Sequence, residues 1–148
     1  MTTLLSGPHW LAVLRIGLGL WWVESFRHKN KQAWFERGSG IAWAKSVADK
    51  HRWEFVRRGF TTVVEPRPKA MAYIVVFGEL AIGLGLAFGF LTPIAAAAGL
   101  ALNLVYFVLM IHDWAEQGQN SMMALIEVVV LGTHAWTTWG VGHAIGLF

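Results

Sequence analysis

Cysteine is absent from the 148-residue sequence. Its absence excludes disulfides, thiolate metal sites, iron–sulfur ligation and a cysteine nucleophile, and leaves any redox chemistry to another group. Charge is scarce as well, since Asp, Glu, Lys and Arg make up 14% of the residues, against roughly 25% in an average soluble domain. With 55% hydrophobic residues, that shortage argues against a water-soluble fold. Phosphate loops, dinucleotide fingerprints and nucleophile elbows are missing too, because the glycines do not follow strands.

In place of charge the sequence has long apolar runs. A helical span needs about 20 mainly apolar residues, and four stretches qualify: 8–26, 69–90, 93–111 and 120–140. They predict an all-α membrane protein, a single domain over residues 1–148 folded as a four-transmembrane-helix bundle. Pro8 suits a first helical turn, Pro66 and Pro68 lead into the second span, and Thr92-Pro93 open the third. The very short turn before Thr92 makes the second and third spans antiparallel neighbours. Asn120 or Ser121 is expected to cap the fourth, and Gly140, Gly142 and Gly146 to loosen its end. No Lys or Arg precedes the first span and no small-residue cleavage pattern follows it, so it reads as a retained helix.

Residues 27–68 form the long amphipathic loop between the first two spans. Of the 12 Lys and Arg, all but Arg15 lie between Arg27 and Lys69. Ile41, Ala44, Val47, Ala48, His51 and Phe55 recur at helical spacing, with Lys45, Asp49, Lys50, Arg52, Glu54 and Arg58 on the other side, which predicts an interfacial helix. Glu54 and Arg58 have the favourable order for a surface pair. Lys45, Lys50, Arg52, Arg57 and Arg58 are the candidate docking or lipid-contact residues. A net charge of +3 beside membrane spans points to anionic lipids or other subunits of a membrane complex as partners, and not to nucleic acid. The positive-inside rule puts this loop in the cytoplasm and both termini outside. Small residues four apart, including Ala81, Gly85 and Gly89, predict close packing of the second and third spans, with a homo-oligomer face as the alternative.

Ionisable residues at membrane depth are costly and mark the place to look for function. Measured from the loop side at 1.5 Å per residue, Glu79 lies about 15 Å deep, Asn103 about 12 Å, Glu127 about 10 Å and Arg15 about 18 Å. All four are expected in one polar layer. Arg15 needs a carboxylate or several carbonyls, and Glu79 matches it best by depth. The layer either fixes the bundle or holds a quinone head group, with Glu79 or Glu127 handling the accompanying proton. No covalently bound cofactor is implied. Of six histidines, only His134 is expected to lie deep, which argues against a bis-imidazole haem, and His112, Asp113 and Glu116 do not make a convincing metal site. Among the nine tryptophans, Trp10, Trp21, Trp22, Trp114, Trp136 and Trp139 fall near span ends, as an aromatic belt would.

Arg15-Ile16-Gly17-Leu18-Gly19-Leu20, the basic residues after the first span, Gly78-Glu79-Leu80-Ala81-Ile82-Gly83-Leu84, Gly89-Phe90-Leu91-Thr92-Pro93-Ile94-Ala95 and Asn103 together resemble the DoxX/DoxD family of small four-helix membrane proteins. The resemblance covers most of the chain outside the middle of the loop. It implies a bacterial or archaeal cytoplasmic membrane protein, and its DoxD branch includes the membrane subunit of thiosulfate:quinone oxidoreductase, which works with a second subunit. Arg15, Glu79 and Asn103 match family positions, whereas Glu127 rests on depth alone. Two functions follow: membrane subunit of a quinone-linked oxidoreductase, or a non-catalytic accessory subunit of a larger respiratory or photosynthetic complex.

Overall fold

Helix begins almost where the sequence places its first proline. The computed structural model describes residues 6–147, and among them no strand occurs. Helix α1 spans Gly7–His28, with Ser6 as its N-cap and Pro8 in the first turn. Three short helices follow, α2 (Lys31–Glu36), α3 (Ser39–Asp49) and α4 (Glu54–Gly59), and α4 runs on into a π-helical turn at Phe60–Val64. The long helices α5 (Pro68–Phe88), α6 (Thr92–Leu109) and α7 (Trp114–Thr133) come next, and α8 (Val141–Ala144) closes the chain.

Helices α5 and α6 are each long and apolar enough to cross a membrane. Gly89 ends α5 in the left-handed conformation, at φ 67°, and the Phe90 amide reaches back to the Gly85 carbonyl at 2.9 Å. Pro93 then opens α6, so the expected tight antiparallel hairpin forms. At 22 and 20 residues, α1 and α7 match these helices in length but carry more polar side chains. Helix α1 lies along α5, α7 lies along α6, and α1 touches α7 to close the ring. Leu18, Trp22, Ile82, Leu86, Ala96, Met123 and Val130 fill its centre.

The small residues serve the expected α5–α6 pair through Gly85 and Gly99, and a second pair that was not expected. A Cβ on Gly83 would stand 2.8 Å from the Val23 amide nitrogen and 2.9 Å from the Gly19 carbonyl, and one on Gly19 would stand 2.8 Å from the Ala87 Cα. Gly19, Gly83 and Ala87 thus bring α1 and α5 into backbone contact. Gly85 faces α6, against Ala95.

Helix α7 starts six residues before the expected Asn120 and stops before the expected Gly140. The Asp113 carboxylate accepts from the Ala115 and Glu116 amides at 3.0 and 3.2 Å, so the cap lies at the head of the polar stretch. Asn120 is buried, and its amide donates to the Glu116 carbonyl at 2.7 Å. The stretch read as a loop is therefore the first two turns of the helix. His134 terminates α7 in the left-handed conformation.

The single interfacial helix expected between the first two spans breaks after Asp49. Ile41, Ala48 and His51 are buried on the predicted side, but Phe55 is 66% exposed. Beyond Lys50 the chain turns through the buried imidazole of His51, so α4 does not continue the face of α3. The His51 Nδ1 accepts from the Trp53 amide at 3.1 Å, so Nε2 carries the proton and donates to the Val108 carbonyl at 2.9 Å. That bond fastens the 27–68 region to the end of α6.

Candidate functional site

Two buried carboxylates, one on α5 and one on α7, organise the loop end of the bundle. Glu127 is fully buried. Its Oε1 accepts from the Trp22 indole at 3.1 Å and its Oε2 from the Asn103 amide nitrogen at 2.9 Å. The absence of a side chain at Gly99 makes room for it, because a Cβ there would press on the carboxylate, 3.0 Å from its Cδ. Glu79 is equally buried. Its Oε2 takes the Lys29 ammonium at 2.5 Å, and its Oε1 accepts from the Tyr106 hydroxyl at 3.0 Å. Each carboxylate therefore meets two donors, as a charge withdrawn from water requires.

Beside these groups lies a cavity of about 990 Å³, at the upper end of the range for small-molecule sites. Trp22, Lys29, Glu79, Asn103 and Tyr106 line its polar part. The 27–68 region covers it with Trp34, Ile41, Val56, Phe60 and Val64, and Ile74, Leu102 and Val105 add apolar wall from α5 and α6. A polar floor under apolar walls suits a molecule with a polar head and a greasy body. The hydrogen-bonding capacity of the floor is not used up, because the Asn103 Oδ1 is buried without a partner.

Arg15 does not join this group. Its Nη1 donates to the carbonyls of Ala135 and Thr138 at 3.0 and 3.2 Å, and its Nη2 to that of Trp139 at 3.0 Å. The expected pairing of Arg15 with Glu79 gives way to a pairing with carbonyls of the irregular segment beyond α7, where buried backbone acceptors need a side-chain donor. Side-chain direction explains the departure. A helical Cα–Cβ bond tilts toward the helix N-terminus; α1 starts at the far end and α5 at the loop end. From similar depths, Arg15 and Glu79 lean apart. The same tilt carries Lys29 inward from the end of α1, onto Glu79. Gly89 gives the guanidinium space, since a Cβ there would stand 2.8 Å from Nη1, and the Gly142 amide bonds to the Gly89 carbonyl at 2.9 Å.

Of the expected polar layer, Asn103 bonds Glu127 and lines one cavity with Glu79, and Arg15 stands apart. Lys29, Tyr106 and Trp22 belong to the site and went unread. Tyr106 lies one turn after Asn103 on the same face of α6, which is a legible signal. Lys29 was hidden among the loop cations, and Trp22 in the expected aromatic belt. Trp22 and Trp136 are in fact buried, whereas Trp10, Trp21, Trp114 and Trp139 are exposed. His134, expected to be deep, is exposed at the end of α7.

The candidate docking residues divide. Lys45 meets Asp49 and Glu65 at 3.3 and 3.2 Å, and its hydrogen bond to Glu65 raises its pKa above the usual lysine value. Arg57 donates to the His51 carbonyl, and Arg58 pairs with Glu54 at 2.6 Å. Lys50 and Arg52 face outward, with the Arg52 guanidinium 4.8 Å from the ring centre of Trp53.

Compared with known protein families, the sequence matches the DoxX model over residues 10–113, a stretch that holds α1 to α6 and with them Arg15, Glu79 and Asn103. No curated protein and no solved structure matches the chain.

Proposed function

The chain belongs to the DoxX family, and from that premise we propose that it is the four-span membrane subunit of a quinone-linked oxidoreductase, with the cavity at the loop end as its quinone site. The observation that carries this reading is the buried cluster of Glu79, Tyr106, Lys29 and Asn103 in a cavity whose lining is mainly apolar, with Ser25, Asn30, Glu116 and Gln119 as further polar residues. Polar groups at such a depth can orient a ring bearing two oxygens, and the apolar wall can take its tail.

Four spans are supported by an inversion of the soluble pattern. Leu20, Ile74, Leu84, Ile94, Val105 and Leu125 are exposed, while Arg15, Glu79, Asn103, Asn120 and Glu127 are buried. An apolar exterior around a polar interior suits lipid as the surrounding solvent. The basic 27–68 region would then lie on the cytoplasmic side of a bacterial or archaeal membrane, with both ends of the chain outside.

Within this site Glu79 would hold or accept a proton beside the ring, and Lys29, 19% exposed, would link that carboxylate to the loop-side surface. Purification in mild detergent followed by quinone extraction tests the reading. Wild-type protein should carry quinone and Glu79→Gln should lose most of it at unchanged yield; equal content in both would sink the proposal. The accessory-subunit reading is favoured by a different observation, the outward-facing Lys50, Arg52, Trp43, Trp53 and Phe55. Charge reversal at Lys50 and Arg52 should then release co-purifying subunits, and their retention would count against docking through this face.

A further inference from the structure

The floor of the cavity has a hydrogen-bonding polarity that selects between the two redox forms of a ring. With Glu127 ionised, Asn103 is held in one orientation, because both Glu127 oxygens then accept and one accepts from the Asn103 amide nitrogen. Its Oδ1 is then an acceptor, buried and without a partner, on a residue that borders the cavity. One turn along α6, the Tyr106 hydroxyl gives its only proton to Glu79, which leaves its oxygen as a second acceptor. Lys29 spends one proton on Glu79 and another, at 3.4 Å, on the Ser25 carbonyl, so it retains one N–H. Among Asn103, Tyr106 and Lys29 the unspent capacity is two acceptors and one donor, and Lys29 and Glu79 offset each other's charge.

We infer that this floor binds a neutral ring bearing hydroxyl donors, a hydroquinone, in preference to the corresponding quinone. The inference rests on the cavity being the quinone site. A hydroquinone oxygen can accept from Lys29 while its proton goes to Asn103 or Tyr106. A quinone oxygen can only accept, so it satisfies Lys29 and leaves both acceptors unpaired. A buried acceptor left unpaired is penalised enough to shift affinity by about tenfold or more.

Binding of a short-chain alkyl benzoquinone and its hydroquinone, measured anaerobically by thermophoresis with the protein in nanodiscs, tests this without electron donor or turnover. The hydroquinone should bind about tenfold tighter or better. Equal affinities, or tighter quinone, would overturn the inference and leave the quinone site standing, whereas binding of neither form would overturn the site as well.

The isosteric Glu127→Gln provides a second reading. Trp22 still requires an oxygen acceptor, so the new amide nitrogen would face Asn103. Asn103 must then flip, turning its oxygen to Gln and its nitrogen to the cavity. The preference for hydroquinone should fall toward parity or reverse, and a preference unchanged in folded Glu127→Gln would refute the role of Asn103. Asn103→Leu, which deletes the acceptor outright, should also lose most of the preference; a full preference retained there would refute the same assignment.

Discussion

Arg15 and Glu79 occupy similar depths on facing helices, α1 and α5, yet they end in different kinds of site. The Arg15 guanidinium gives both its Nη groups to three backbone carbonyls of the 135–139 segment, with Nε buried and unpartnered, where the C-terminal residues fold against α5. Glu79 borders a large cavity and is held by side chains, one of which reaches in from the loop. A charge held by backbone has its geometry fixed by the fold. A charge satisfied by side chains at a cavity can exchange partners. Burial alone therefore does not separate structural from functional polar residues in this bundle. The partners do.

The contrast breaks most visibly at its structural half. Arg15→Leu should cost roughly 3–5 kcal/mol, since it strands three carbonyls at the end of α7, and thermal unfolding in detergent would show it as a large fall in Tm with no specific effect on ligand affinity in whatever folds. Arg15→Lys should recover only part, because a single ammonium cannot reproduce the planar fork that serves all three acceptors. Next in size is Gly83→Leu, whose side chain would have to displace the backbone of α1; overpacking of this kind costs about 1–3 kcal/mol, again read as a fall in Tm. His51→Phe removes the bond to Val108 and should cost about 1 kcal/mol, appearing as faster proteolysis within residues 27–68 while the four long helices stay protected. The smallest effect on stability belongs to Lys50→Glu with Arg52→Glu, which face outward. Tm should not move, and a substantial fall would show that these side chains support the fold.

The helical class and the α5–α6 hairpin were legible because apolar runs, prolines and Gly89 are local signals. Asp113 was less so. A polar run reads as a loop unless its capping residue outweighs its composition, and here the seven residues from Trp114 to Asn120 form helix at the loop end of the bundle. Depth arithmetic brought Asn103 near Glu79, with which it lines one cavity, but set Glu127 too shallow, because α7 starts at Trp114 and not Asn120, and failed for Arg15, because height along an axis says nothing of the direction in which a long side chain leans. Lys29 escaped for the complementary reason. A lysine stem spans several ångströms, so a residue at a helix end can deliver its charge well inside.

The proposed separation of a ligand-binding loop end from a structural far end can be mapped directly with a photoreactive azidoquinone and peptide mass spectrometry. Labelling is predicted in peptides holding Lys29 to Trp34 and Leu102 to Tyr106, and competition by unlabelled quinone should remove it. Competable labelling concentrated instead at Thr137 to Ala144, beside the Arg15 anchor, would contradict the account.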